Sequence, residues 1–278
     1  SMSFAAVPAY AASGTAISTA DDLKAMASNP SGSYYLANDI EVPANLILFT
    51  SYDAPFTGTL DGNGHTIKGY TYTASADWTE QAALFGYAKN ATFKNLKMTE
   101  VNISLNQAGT VAALVAASEN CKFTDIRVSG KIVGKSLSTA AGIVAYSYEG
   151  GTLTNCKNSA DITITNADEG SSAAGVAGFI GSAGSMKNCS NSGKISISGS
   201  IEAASISAAG VVLGVGKATA CKNSGTISVS AIGNGSMNDE CIAAGVAVEV
   251  DTAVSCSNTG KVSMNAAVEA VDPTFEPT

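Results

Sequence analysis

Short runs of small apolar residues recur along the chain at nearly fixed intervals. They are AALF from Ala82, AALV from Ala112, AGIV from Ala141, AGVA from Ala174, AGVV from Ala209 and AGVA from Ala244, in steps of 30, 29, 33, 35 and 35 residues. A second thread, Gly130, Ala160, Gly193, Gly225 and Gly260, moves in steps of 30, 33, 32 and 35. Two threads with matching steps define a repeat whose units bury apolar surface only against their neighbours. Each unit holds three short β-like runs, in the fourth unit AAGVAGFIG from Ala173, MKNCS from Met186 and KISIS from Lys194. Gly, Ser and Asn separate them, as strand boundaries require. Three strands per unit with no helical stretch predict an all-β, single-stranded right-handed parallel β-helix, the hand following from parallel crossovers. About six to seven coils at ~4.8 Å each make a rod roughly 30 Å long.

The same register explains a recurring cysteine. Cys156, Cys189, Cys221 and Cys256 continue backwards, one repeat at a time, to Ile126 and Leu96. Apolar residues in the early coils place this column in the core, where cysteine acts as a small hydrophobe. Buried free thiols are therefore expected, ahead of disulfides between coils or a metal site. A zinc site wants clustered ligands, and the only histidine, His65, lies far from the column. Asn158, Asn191, Asn223 and Asn258 follow two residues after each cysteine and share its face, so their amides can bond from coil to coil. The NSG-type segments beyond them predict a turn with Asn or Gly in the left-handed conformation.

Composition narrows the function. The formal charge is −8 and only 14% of residues are charged, which gives no electrostatic footprint for nucleic acid. No apolar stretch is long enough to span a bilayer, so membrane insertion is not expected. Residues 1–16 read as the tail of a secretory signal, with Ala9–Tyr10–Ala11 as a small-x-small site, or as an Ala-rich leader. Residues 17–266 form one β-helix domain, with a cap helix and irregular first coils over 17–90 and regular coils over 91–266. Residues 267–278 read as a linker, and the chain as a monomer or a fragment of a longer multidomain protein. A helix is predicted over 18–29: Thr19 caps it, Asp22 completes a capping box and Pro30 ends it. Its stripe of Leu23, Met26 and Ala27 would cover the open edge of the first rung.

The N-terminal order of a short helix, YYLANDI from Tyr34, FTGTLDGNGHTI from Phe56, LFG from Leu84 and ATFKNL from Ala91 resembles bacterial extracellular β-helix domains with GLUG motifs. These belong to the wider pectin-lyase-like group. The resemblance covers roughly residues 17–134, and later coils carry AGVA or AGVV where the family often has Gly-Leu-x-Gly. It implies a secreted or surface-attached, adhesin-like module and brings no catalytic residues.

The residues themselves offer no clear catalytic set. Asp125, Asp161, Asp168, Glu202, Asp239, Glu249 and Asp251 do not recur at one register, whereas glycosidases need paired carboxylates at a set separation. Asp61–His65 (DGNGH) reads as a turn. Aromatic residues are concentrated before residue 150, and Tyr52, Tyr70, Tyr72, Asp77, Trp78 and Glu80 form the candidate ligand-binding group. Rings on loops suit sugar or protein contacts, and packing over the first coils is the competing reading. The chain is thus expected to be a non-catalytic module that uses no cofactor or metal and either contacts an extracellular glycan or host surface protein or serves as a stalk. A polysaccharide lyase or glycoside hydrolase is the alternative.

Overall fold

The computed structural model describes residues 12–74, 78–167, 170–201, 205–233 and 240–268. It is a parallel β-solenoid of about six turns with one short helix near the N-terminus. Strands of successive coils pair in parallel and in register. Lys97–Ala112 lies on Arg127–Ala141, and the coils beyond continue through Asp161–Ala167, Ile195–Ile201, Ile227–Gly233 and Val262–Val268. A second sheet stacks Phe85–Lys89, Val115–Thr124, Val144–Thr154, Ala177–Phe179, Val212–Thr219 and Ala247–Val254.

Helix α1 (Ala20–Ala25) continues as a single 3-10 turn, Met26–Ser28. The capping box forms as the sequence predicts: Thr19 Oγ1 accepts from the Asp22 amide at 3.1 Å and Asp22 Oδ2 accepts from the Thr19 amide at 3.0 Å. Leu23 and Met26 are fully buried. The first rung begins earlier than the sequence boundary at residue 17, because Thr15–Ile17 pairs with Ser33–Leu36.

The core column stacks Leu96, Ile126, Cys156, Cys189 and Cys221, all fully buried, with Cys256 half-buried on the last coil. The Cys156 and Cys189 thiols each point at a carbonyl of the preceding coil, Phe123 and Leu153, at 3.5 Å. Cys121 lies off this column, opposite Gly151, and accepts from the Ala91 amide at 3.4 Å. One residue before each column member, the chain turns in the left-handed conformation at Asn95, Asp125, Asn155, Asn188, Ala220 and Ser255. This corrects the sequence expectation, which placed the left-handed residue in the NSG segment. The residue before the cysteine (Asn155, Asn188, Ala220 or Ser255) makes the corner, and the asparagine after it faces inward.

The inward asparagines form a continuous amide ladder. Nδ2 of Asn158, Asn191 and Asn223 donates to Oδ1 of the next asparagine at 2.8, 2.9 and 2.7 Å, and each Nδ2 also reaches the carbonyl two residues on. Buried amides are tolerable only when satisfied in this way. In earlier coils the same register holds Ile40, Ile67, Met98 and Val128. The change to asparagine coincides with a change in the facing column from Ala113 to Gly142, Gly175, Gly210 and Gly245, because a Cβ on these glycines would press on the Asn158, Asn191, Asn223 and Asn258 side chains. The AAL-to-AG switch in the sequence is therefore the packing partner of the ladder.

Candidate functional site

The six candidate residues do not form one patch. Tyr70 is fully buried, and its hydroxyl donates to the Leu46 carbonyl at 2.9 Å. Burial pushes its phenol far above the ordinary range. Tyr72 pairs with Ile103 in one sheet and packs half-buried against the core. Asp77 lies outside the described residues. Trp78 (58% exposed) sits beside Gly109, and Tyr52 (60% exposed) lies edge-on to Tyr87 with ring centroids 5.9 Å apart. Glu80 accepts from the Tyr87 hydroxyl at 3.4 Å. Packing accounts for Tyr70 and Tyr72, and Tyr52 lines a cleft.

That cleft, of about 250 Å³, lies on the second sheet. Tyr52, Tyr87 and Tyr148 wall it, Ala117 and Ser118 form its floor, and Asp53, Lys89 and Glu119 supply charge. Lys89 Nζ meets Glu119 Oε1 at 2.7 Å, and the Glu119 side chain is only 14% exposed. This hydrogen bond raises the Lys89 ammonium above its ordinary value, so Lys89 stays charged. Burial and then Glu80 push the Tyr87 phenol up, so it remains a neutral donor at physiological pH.

The cleft belongs to an outward column that the sequence reading missed. Register pairing stacks Tyr87, Ala117, Tyr146, Phe179, Gly214 and Glu249. Tyr146 packs on Tyr148 at 4.6 Å and on Phe179 at 6.0 Å. The small residues Ala117 and Gly214 leave notches between the rings, and a second, shallower groove of about 330 Å³ follows beside Phe179 and Gly214. The signal was present: each member stands five residues after the start of an AALF, AALV, AGIV, AGVA or AGVV run.

The DGNGH segment is a turn. Asp61 Oδ1 accepts from the Asn63 amide at 2.8 Å and from Asn95 Nδ2 at 3.1 Å, and Asn63 and Gly64 have positive φ. His65 Nδ1 lies 3.2 Å from Asp39 Oδ1.

The fold and cleft define a β-solenoid with an outward-facing aromatic cleft on its second sheet. Comparison with known proteins adds a family link. Residues 10–130 match the family described as the M26 IgA1-specific metallo-endopeptidase N-terminal region. A crystal structure described as a "putative immunoglobulin A1 protease" from Bacteroides ovatus shares the fold: the TM-score is 0.56 at 15% identity, over 92% of this chain and 84% of that one. No curated protein matches the chain. Among the described residues, no helix is long and apolar enough to cross a membrane.

The family match overturns the expectation that this chain is a non-catalytic module and not an enzyme: the matched family is one of metallo-endopeptidases, and the matched part is its N-terminal region. Composition and residue pattern missed this link because the match falls on solenoid coils, which carry no reaction chemistry to read. The donor set does not fit a catalytic metal. The single histidine pairs with one aspartate, the column cysteines occupy separate coils facing the core, and no three His, Cys, Asp or Glu groups cluster among the described residues. Peptidase zinc sites use clustered His and carboxylate ligands, so no hydrolytic step is assigned to these residues.

Proposed function

We propose that this chain is the β-helical, substrate-engaging region of a secreted bacterial metallo-endopeptidase of the immunoglobulin A1-directed kind, and that it holds its protein ligand on the aromatic face of the second sheet. The match over residues 10–130 carries the reading, because that span contains Tyr52, Tyr87, Lys89 and Glu119 of the cleft. Rigid exposed rings around a small notch suit this role, since Tyr and Trp supply contact area at little entropic cost and dominate interface energetics. Hydrolysis in this reading falls to metal ligands that these residues do not provide. The GLUG relationship and an adhesin-like role belong to the same proposal as its contact half: the solenoid grips a host glycoprotein at the cell surface or in the medium.

The test is binding of immunoglobulin A1 to the immobilised chain by surface plasmon resonance. Tyr87→Ala and Tyr148→Ala should each weaken binding by about tenfold or more, the effect expected of ring truncation at a contact centre, while Tyr72→Phe leaves it unchanged. Absence of binding by the unaltered chain, or equal losses from Tyr72→Phe, would overturn the proposal.

A further inference from the structure

The opposite sheet carries a second surface of different chemistry. Lys97, Arg127 and Lys157 occupy one outward register on three consecutive coils, and Lys222 returns to it after Ser190. All four cations are exposed. Like charges directly opposed on neighbouring strands destabilise a sheet, and no carboxylate forms an ion pair with any of the four among the described residues. The chain as a whole is acidic, with 23 Asp and Glu against 15 Lys and Arg. An uncompensated basic column on such a protein is a local departure from its charge.

The column also borders a groove of about 440 Å³. Lys97, Arg127 and Lys157 line it together with the hydroxyls of Ser129, Ser159 and Ser192, and no acidic side chain does. The cations recur once per coil, about every 4.8 Å along the solenoid axis. An extended acidic peptide repeats its same-face side chains at about 6.6–6.8 Å, so it falls out of step within three coils. A polymer with one negative group about every 5 Å stays in step with the cations.

We propose that this groove binds a linear anionic polysaccharide carrying one carboxylate or sulfate per sugar unit, laid along the solenoid axis. The site is separate from the aromatic cleft and does not depend on the peptidase-linked reading. Its occupant would tether the chain to an acidic glycan coat while the aromatic face remains free.

The experiment uses the full chain in 50 mM NaCl, with polygalacturonate, heparin oligosaccharides and poly-L-glutamate as probes, followed by calorimetry. The variant is Lys97→Ser/Arg127→Ser/Lys157→Ser, which the fold accommodates because Ser190 and Ser257 already hold that register. A control, Lys122→Ser/Lys217→Ser, lowers the charge on the second sheet. At least one glycan should bind the unaltered chain and the control alike, and lose about tenfold or more in affinity both in the triple variant and on raising NaCl to 300 mM, as phosphate-like electrostatic contacts do. Preference for polygalacturonate or for heparin identifies carboxylate or sulfate. No glycan binding, tighter binding of poly-L-glutamate, or equal losses in variant and control would overturn the proposal. Failure here leaves the antibody-binding test untouched, because that test reads the other sheet.

Discussion

At the residue scale, the cysteine column shows how far a single position can be read. Leu96 and Ile126 at the head of the column mark Cys156, Cys189 and Cys221 as core residues from the sequence, and all are buried. The adjoining corner was misplaced because Cys156 and Cys189 have asparagine on both sides, and nothing local decides which one takes positive φ. The corner tolerates Ala220 and Ser255 in the left-handed region, where a side chain with a Cβ costs about 1–2 kcal/mol. The thiols carry a pH signature. Burial pushes Cys121 up to about 11 from an ordinary 9.0. Its stacked neighbour Cys156 raises Cys189, Cys189 in turn raises Cys221, and burial adds to both. Below pH 9 these thiols are neutral in both the folded and unfolded chain and do not affect the balance. From pH 9 to 11 the unfolded chain releases protons that the folded chain keeps, so stability falls by up to about 1.4 kcal/mol per pH unit for each thiol. Urea midpoints at pH 8.5 and 10.5 should therefore fall less for Cys121→Val/Cys189→Val than for the unaltered chain, and an identical fall would show that the thiols titrate freely.

At the element scale, helix α1 was predictable because its signals are local: the Thr19–Asp22 capping box, an apolar stripe and Pro30. Strand existence and coil spacing were equally open to reading, since period-two alternation and turn residues act over a few positions. The aromatic face was not, because its members lie 29 to 35 residues apart and become neighbours only through register. Tyr146, Tyr148 and Phe179 therefore stood outside the candidate group, while Tyr70 and Tyr72 stood inside it although one is core and the other packs against it. Helix α1 should be worth most at its packed face. Leu23→Ala empties a fully buried site and should cost about 2–5 kcal/mol, against about 1 kcal/mol for loss of the Thr19 cap. Denaturant midpoints of the two variants test this order. Equal small losses would mean that the helix rests on the solenoid without closing its end.

At the scale of the whole molecule, the interior changes character along the axis. Phe56, Phe85, Phe93 and Phe123 form a contiguous ring cluster in the first coils, with centroids 5.1–5.6 Å apart. The core column that stacks Tyr34, Leu60, Phe93 and Phe123 continues through Leu153 and Met186 to Ala218 and ends at the exposed Ala253 of the last coil. Apolar volume falls along this path, and the asparagine ladder takes over part of the cohesion. Burial falls too: Ile227 and Val229 are buried, whereas their partners one coil on, Val262 and Met264, are 38% and 55% exposed. A solenoid has nearest-neighbour stability, so local opening free energies should follow this gradient rather than average it. Hydrogen exchange should release the amides of Ala247–Val254 and Val262–Val268 first, those of Ile195–Ile201 and Val212–Thr219 next, and those of Lys97–Ala112 and Val115–Thr124 last. Asn223→Val, which removes the third of the four ladder asparagines and its bonds to Asn191 and Asn258 while leaving the phenylalanine cluster intact, should speed exchange in the two final coils and leave Lys97–Thr124 unchanged. Uniform exchange along the axis, or acceleration of the first coils by that substitution, would show one cooperative unit in place of a graded stack.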